Sequence, residues 1–314
     1  MNKKQKITFF KEFGLNLTFK TFYFNLKIKL TKKNKNLYSQ KLNEVKLKWL
    51  NNKYGNYVDE LVCNYNKEYK KENINPKIWQ FWMQGNQDNI PIVKMCLDSI
   101  NNTKPSNVER IIITKDNLKK YAKISDNIYK KFDNNLISIT HLSDILRMNL
   151  LYNYGGIWLD ATIYSSNKFD AVFNNNFWTI KRKAEDIAYI PKGKWTGYAI
   201  GGVKDNLIFY LMNNLFEKYW EEYDVLIDFF LIDLFLELLY RRVPQVKKYI
   251  DKVNYNNINV HELWQLLSIE YSEEKWKKII RNTDFFKLSW RIKQQEVKNG
   301  NKTYFGMLME RNKD

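Results

Sequence analysis

The sequence has little of the chemistry that disulfide frameworks and metal clusters require. Its 314 residues include 2 cysteines, Cys63 and Cys96, and 2 histidines, His141 and His261. Two cysteines make no disulfide framework, and the histidines lack the spacing of a zinc site. We therefore predict two buried thiols in a cytoplasmic protein.

Long apolar runs are also missing. The most apolar stretch, residues 225–240, carries Asp228, Asp233 and Glu237 and falls short of the roughly 18 apolar residues that suggest a membrane-spanning helix. We predict a buried helix there. Lysines interrupt the apolar residues that follow the start of the chain, so no secretory signal is predicted.

Positive charge is concentrated at the beginning of the chain. Residues 1–50 contain 13 lysines, no arginine and two acidic residues, which gives +11 of the total net charge of +18. These lysines are interleaved with apolar and aromatic side chains. We predict a basic, partly helical N-terminal extension over residues 1–75, followed by one domain over 76–314. The extension either lies on an anionic membrane surface or packs on the main domain, or its charge is compositional drift.

The pattern after residue 76 predicts an α/β fold with an open, largely parallel sheet. Apolar runs at 77–82, 111–114, 136–140 and 157–159 are typical of buried strands, and helical patterns separate them. The second half is more helical. We predict helices at 206–221, 225–241, 244–252, 261–268 and 273–281, and a hairpin within 296–307.

The most informative stretch lies between the third and fourth predicted strands. Asp144 and Arg147 share one helix face, and Gly155 and Gly156 end that helix. Asp160 then follows a buried strand at its carboxyl end, where open α/β sheets bind ligands. A lone Asp–Arg pair is usually a surface ion pair. Here one cation and two carboxylates converge, which favours a site for a sugar phosphate and a metal ion.

Residues 143–160 resemble the S-D-x-x-R…G-G-x-x-x-D signature of glycosyltransferases with a DXD sugar-binding region. The likeness is greatest to capsular polysaccharide synthesis proteins, and the pattern recurs in yeast outer-chain mannosyltransferases and clostridial glucosylating toxins. Residues 76–82 resemble the family's opening strand. The resemblance implies a GT-A-like fold, a UDP-sugar donor, a divalent cation (Mn²⁺ or Mg²⁺), and a glycan or lipid-linked glycan acceptor in surface polysaccharide synthesis.

The resemblance also implies roles for individual residues. Asp144 and Arg147 match positions that hold the donor sugar's hydroxyls, and Asp160 matches the first acid of the D-x-D motif. Thr162 stands where many relatives have the second acid. It can supply a neutral hydroxyl, Asp160 can take over the metal, or a downstream acid can complete the set of ligands, and Asp160 and Thr162 are the expected metal ligands. The opening strand is expected to contact the nucleobase. The full set expected to bind the donor is Trp79, Phe81, Trp82, Asp144, Arg147, Gly156, Lys287 and Trp290.

Further residues are candidates for roles in catalysis and acceptor binding beside the donor. Lys287, Arg291 and Lys293 can neutralise the leaving diphosphate, or they belong to a solvated basic strand. A buried carboxylate needs a partner, so Asp233, preferred slightly over Asp228, is expected to reach the donor as a fourth catalytic residue after Asp144, Arg147 and Asp160. The acceptor side is expected to contain Trp195, Tyr198, Gly201 and Gly202. Family likeness suggests that the anomeric configuration is retained.

Two other functions compete with this prediction. A non-catalytic sugar-binding protein accounts for Thr162, and a nucleic-acid-binding module accounts for the positive charge and aromatic content. The second leaves Asp144, Arg147 and Asp160 unexplained, so nucleic acid is not predicted as a partner. The expected location is the cytoplasm, with peripheral contact at the inner face of the membrane.

Overall fold

A five-stranded mixed sheet lies at the centre of the fold. The computed structural model describes residues 3–65, 76–85, 90–183 and 188–311. The strands are β1 (Lys77–Phe81), β2 (Glu109–Ile113), β3 (Gly156–Leu159), β4 (Ile163–Ser165), β5 (Phe177–Thr179), β6 (Ala199–Gly202), β7 (Phe285–Lys287), β8 (Val297–Lys298) and β9 (Asn301–Lys302). The central sheet has the order β2-β1-β3-β6-β5, whereas β4 pairs with β7 and β8 with β9.

One half of the central sheet is parallel. Strand β1 pairs in parallel with β2 and β3, and Trp79 lies opposite both Ile111 and Trp158. Strand β6 runs antiparallel to β3 and β5. The apolar runs of β1 and β3 are buried, as expected for strands covered on both faces. The predicted mixed α/β class with parallel strands is confirmed.

Helices cover the sheet and make up most of the second half of the chain. They are α1 (Lys3–Leu30), α2 (Lys35–Asn64), α3 (Pro91–Thr103), α4 (Leu118–Tyr121), α5 (Asp126–Asp133), α6 (Ile139–Tyr154), α7 (Leu207–Glu222), α8 (Leu231–Arg242), α9 (Pro244–Lys252), α10 (Leu263–Leu266), α11 (Glu273–Ile280) and α12 (Tyr304–Arg311). The predicted helix at 225–241 begins later than expected, so Asp228 precedes α8 instead of lying on it.

The predicted strand at residues 136–140 is wrong. This segment leads into α6, and the Ser138 hydroxyl accepts a hydrogen bond from the His141 backbone N–H at 3.2 Å. Ile137 is buried while Leu136 and Ile139 are exposed. The apolar run suggested a strand, but the cap at Ser138 starts a helix instead. A second serine, Ser143, also suits a helix cap by residue type but lies inside α6.

The N-terminal helices α1 and α2 pack on the helical half of the molecule. Leu50, Tyr54 and Val58 of α2 are buried in the core that contains α7 and α8. In α1, the Phe13 ring stacks on Tyr223 with 5.1 Å between ring centroids. The other face of α1 leaves apolar side chains exposed. The predicted domain boundary at residue 75 lies outside the described residues.

The region after residue 284 completes the fold. Strand β7 pairs antiparallel with β4, which places Lys287 opposite Ile163. The predicted hairpin is present as β8 and β9, which turn at residues 299–300. Its second strand is shorter than expected because α12 begins at Tyr304.

The predictions about thiols and membrane spans have different outcomes. Cys96 is buried, but Cys63 is exposed because it lies on the outer face of α2 near its end, so the prediction of two buried thiols is wrong for Cys63. Within the described ranges, no helix is both long enough and apolar enough to cross a membrane.

Candidate active site

Helix α6 contributes an acidic side chain, Asp144, and a basic side chain, Arg147, at the carboxyl edge of the parallel strands. The Arg147 Nη1 atom donates to Asp144 Oδ1 at 2.7 Å, as the i, i+3 spacing predicts. The Arg147 side chain is only 5% exposed. Its second terminal nitrogen lies 3.4 Å from the Ser143 hydroxyl. A buried guanidinium must be paired, so this arginine is fixed in place by its partners.

Asp160 is the centre of the cluster. It directly follows β3, and its Oδ1 atom accepts hydrogen bonds from Arg147 Nη2 at 3.3 Å and Trp158 Nε1 at 2.9 Å. Its Oδ2 atom accepts from Lys287 Nζ at 2.9 Å. Burial raises the pKa of the Asp160 carboxyl, but the charges of Lys287 and Arg147 and these hydrogen bonds outweigh burial and lower the pKa below its usual value. Asp160 is therefore ionised at neutral pH.

Trp158 is a site residue that sequence reasoning missed. Besides its bond to Asp160, its ring lies 4.9 Å from the Arg147 guanidinium carbon, within the range of a cation–π contact. Trp158 and Asp160 are two residues apart along a strand, so their side chains point to the same side. That spacing is the signal in the sequence that identifies Trp158.

Lys287 reaches the cluster from the other end of the chain. Its Nζ atom lies 2.9 Å from Asp160 Oδ2 and 2.5 Å from the Thr162 hydroxyl oxygen. The backbone fixes this approach, because the Leu288 N–H donates to the Thr162 carbonyl at 2.9 Å. Of the three predicted cations, Lys287 joins the cluster, whereas Arg291 and Lys293 are exposed to solvent.

The arrangement does not fit the predicted divalent cation. The lysine ammonium bridges the two expected metal ligands, Asp160 and Thr162. The part of the chain that the structure describes contains no group of three or more His, Cys, Asp or Glu side chains able to hold a metal. A divalent ion 4 Å from an ammonium is repelled by about 8 kcal/mol at an effective dielectric constant of 20. Lys287 therefore occupies the position between the two expected metal ligands, Asp160 and Thr162, whose role as ligands stays a prediction.

Two residues expected to contact the donor lie elsewhere. Trp79 is fully buried, and its indole N–H donates to the Gly155 carbonyl at 2.9 Å. Gly156 begins β3 and thus lies at the opposite edge of the sheet from Asp160. Its φ is +93°, and a Cβ there would lie 2.1 Å from the Lys77 carbonyl oxygen. Both residues serve the packing of the sheet, which corrects their predicted role at the donor.

Two tryptophans extend the site beyond the end of β1. Trp82 follows the buried Phe81, and its ring meets that of Trp290 edge to face with centroids 6.4 Å apart. The Trp82 indole nitrogen is buried and has no hydrogen-bond partner among the described residues. Trp290 is 49% exposed. The exposed Trp290 ring forms a surface on which a planar group can stack.

Asp233 lies in the first turn of α8 and accepts a hydrogen bond from Trp195 Nε1 at 2.9 Å. Burial raises the pKa of the Asp233 carboxyl to about 7, with the Trp195 bond opposing this and the negative charge of Asp144 adding to it. Asp228, the less favoured acid, instead forms an ion pair with Lys46 of α2. Asp233 is therefore the acid near the α6 residues.

The residues expected on the acceptor side have mixed positions. Trp195 is buried, and Gly201 and Gly202 are covered by β3 and by the residue before β5, so none of the three faces open space. Tyr198 is half-buried, and its ring lies 5.6 Å from Lys287 Nζ. A cavity of about 240 Å³ reaches Asp233 from the side of α2. Its lining includes Ser39, Asn43, Tyr189, Asp228, Phe230 and Asp233.

A family model described as capsular polysaccharide synthesis protein matches residues 27–308. The chain belongs to this family. The match contains every residue of the cluster from Asp144 to Lys287 and begins within α1. The predicted family is confirmed, and membership supports a glycosyltransferase role in capsular polysaccharide synthesis.

Solved structures with some likeness to this family member carry glycosyltransferase titles. A PaToxG glycosyltransferase is 16% identical with a TM-score of 0.35, and the alignment covers 76% of this chain and 94% of that one. A WbbM bifunctional glycosyltransferase is 9% identical with a TM-score of 0.39, over 79% of this chain and 50% of that one. No curated protein matches this chain.

Proposed function

We propose that this member of the capsular polysaccharide synthesis family transfers a sugar from a UDP-sugar to a glycan acceptor, within a GT-A arrangement. The observation that carries the proposal is the convergence of Asp144, Arg147, Asp160 and Lys287 at the carboxyl edge of the parallel strands. Ligands of open α/β sheets bind at this edge. A diphosphate requires cations and a sugar requires hydrogen-bond acceptors, and this cluster supplies both.

The donor contacts two parts of the site, one with its sugar and diphosphate and the other with its nucleobase. Asp144 and Arg147 bind hydroxyls of the sugar, and Lys287 faces the diphosphate, while Asp160 holds both cations in position. The uracil base of the donor lies over the exposed ring of Trp290, beside Trp82, and Phe81 is buried behind Trp82. Stacking of a base on an aromatic ring contributes about 1–3 kcal/mol in single-stranded nucleic-acid complexes, and a similar contact is expected here.

Transfer proceeds with retention of the anomeric configuration. The bond between the anomeric carbon and the diphosphate oxygen breaks, and its electron pair stays on that oxygen. The acceptor hydroxyl oxygen attacks the anomeric carbon from the same side, and its proton passes to the departing phosphate oxygen. The protein's contribution is to orient the donor and to offset the developing negative charge with fixed cations.

The acceptor approaches through the cavity that reaches Asp233. With a pKa raised to about 7, the Asp233 carboxyl is present in both protonation states near neutral pH, so it can donate or accept a hydrogen bond with a sugar hydroxyl. Ser39, Asn43 and Tyr189 add polar groups along the wall. A saccharide chain matches this mixture of hydroxyl, amide and aromatic surfaces.

The exposed face of α1 suits contact with a membrane that carries a lipid-linked acceptor. Leu15, Phe19, Leu26 and Leu30 are each more than half exposed, and lysines lie between them. Each basic residue near an anionic membrane surface contributes about 1 kcal/mol of attraction. This face therefore holds the enzyme at the cytoplasmic membrane surface, where such acceptors are available.

A panel of nucleotide sugars tests the proposed function. Calorimetry should show tighter binding of a UDP-sugar than of GDP-mannose or a CMP-sugar, and slow release of free UDP should accompany it. Equal or stronger binding of GDP-mannose contradicts the donor assignment. Binding without any release of UDP, even with glycan acceptors, favours the non-catalytic sugar-binding alternative that Thr162 suggested.

A further inference from the structure

Thr162 stands where many relatives have a second acid, and Lys287 reaches this same part of the site. Thr162 occupies the third position of the D-x-D pattern and carries no charge. The Lys287 ammonium lies 2.5 Å from its hydroxyl oxygen and 2.9 Å from the Asp160 carboxylate. Asp160 and Thr162 are the same two side chains that would hold a metal in this motif.

The lysine is held there by backbone pairing and not by a flexible tail. Strand β7 pairs with β4, and Lys287 lies opposite Ile163, one residue after Thr162. The Lys287 N–H donates to the Val260 carbonyl at 2.8 Å, and the next N–H donates to Thr162. Three-quarters of the Lys287 side chain is buried. Such fixation reduces the reorganisation needed when a charged ligand binds.

The charges of the cluster agree with a site that uses its own cations. Arg147 and Lys287 offset Asp144 and Asp160, so the four side chains sum to zero before any ligand binds. An ammonium has three N–H donors, and the described contacts of Lys287 with Asp160 and Thr162 use two. The third is available for a phosphate oxygen.

We propose that Lys287, supported by Arg147, performs the task of the divalent cation, so that the site binds a nucleoside diphosphate and releases it as a leaving group without metal. The inference rests on the proposed function. When the bond between the anomeric carbon and the diphosphate oxygen breaks, the electron pair on that oxygen is stabilised by the fixed ammonium. Lys287 takes no part in proton transfer, and the acceptor's proton ends on the phosphate.

Metal dependence of UDP binding tests the proposal on the full-length protein. Titration calorimetry with UDP in excess EDTA and in Mn²⁺ should give dissociation constants within about twofold of each other. The electron paramagnetic resonance spectrum of Mn²⁺ should remain that of the free ion when the protein alone is added. A requirement for Mn²⁺ in UDP binding, or loss of the free-ion signal on adding the protein alone, overturns the inference while leaving the proposed donor intact.

Variants of Lys287 separate its charge from its shape. Lys287→Met keeps the length of the side chain and should weaken UDP binding at least tenfold in EDTA, with no recovery in Mn²⁺, while Lys287→Arg should recover part of it. The matched control is Lys298→Met, which removes an exposed charge from β8 and should leave binding unchanged.

The remaining outcomes distinguish the two proposals. If Lys287→Met folds, as judged by its melting curve, and binds UDP as the unmodified protein does, the lysine does not contact the diphosphate and the inference fails. If that variant does not fold, Lys287→Gln and the metal titration of the unmodified protein decide the question. If the unmodified protein binds UDP neither in EDTA nor in Mn²⁺, the proposed function fails.

Discussion

At the scale of single residues, Asp160 has a role that its hydrogen bonds define. Its two carboxylate oxygens accept from Arg147, Trp158 and Lys287, so one side chain aligns both cations of the cluster. A neutral amide of the same shape keeps part of this geometry but loses the charge. The position therefore separates an electrostatic role from a packing role.

We expect Asp160→Asn to lower the rate of sugar transfer by roughly 10²-fold or more, because the cations lose their orienting charge. Steady-state kinetics with a UDP-sugar measures the loss, and a melting curve checks the fold. The matched control is Asp116→Asn, an exposed acid after β2, which should keep the full rate. An Asp160→Asn protein that is folded and fully active would remove Asp160 from the site.

Asp233 gives a prediction about pH. Burial raises the pKa of its carboxyl to about 7 in the folded protein, against 3.8 for an ordinary aspartate. The folded state thus holds a proton that the unfolded state has released, so the free energy of unfolding falls as pH rises from about 4 to about 7 and then levels. The loss from this one group is at most about 4 kcal/mol.

Asp233→Asn removes this titration while keeping an oxygen for the Trp195 N–H. The variant should gain stability relative to the unmodified protein between pH 5 and pH 8, as measured by urea unfolding at both values. Asp126→Asn, at an exposed position in α5, should show no comparable gain. A stability difference that stays constant with pH would show that the Asp233 carboxyl keeps an ordinary pKa.

At the scale of elements, the sequence specifies local structure well where one pattern dominates. Strands β1, β2 and β3 follow continuous apolar runs between helices, which is typical of buried parallel strands. The strand predicted at residues 136–140 is wrong because a short apolar run there also fits a strand, whereas the Ser138 hydroxyl caps a helix. Short apolar runs are ambiguous on periodicity alone.

Helix α6 carries Asp144 and Arg147, so its start matters to the site. Ser138→Ala removes the side chain that accepts from the His141 N–H and should lower the free energy of unfolding by about 1 kcal/mol. Urea unfolding measures the change. Ser138→Asp keeps a capping oxygen and should lose little, and an alanine variant as stable as the unmodified protein would contradict a capping role.

At the scale of the whole molecule, the pairings that complete the site and its surroundings lie beyond any local pattern. Lys287 and Asp160 are 127 residues apart, and Lys46 and Asp228 are 182 residues apart. The sequence suggested Lys287 only as one of three cations, because no periodicity reports which distant strand pairs with which. The same limit applies to Trp79, whose aromatic ring fits a base or a core equally well.

The N-terminal helices belong to this scale because they are part of the core. Leu50, Tyr54 and Val58 are essentially unexposed, so a chain starting at residue 75 should fail to unfold cooperatively. Membrane contact is therefore better tested by substitutions in the intact chain. The suitable targets are exposed residues of α1, namely Leu15, Phe19 and Leu30.

We expect the intact protein to float with anionic vesicles at low salt and less at high salt. The triple variant Leu15→Ser, Phe19→Ser, Leu30→Ser should bind the vesicles at least about tenfold more weakly, because it loses apolar area for insertion. A matched control changes exposed Tyr255, Ile258 and Val297 to serine. Equal flotation of both variants would remove α1 as the membrane contact.

The pairing of β4 with β7 has a consequence for how the protein is made. Synthesis delivers Asp144 and Asp160 well before Lys287, which follows Asp160 by 127 residues. A nascent chain that stops before residue 285 lacks both the strand that pairs with β4 and the cation at Asp160. Prematurely terminated products therefore lack the ammonium proposed to hold the diphosphate, and we expect them not to bind UDP.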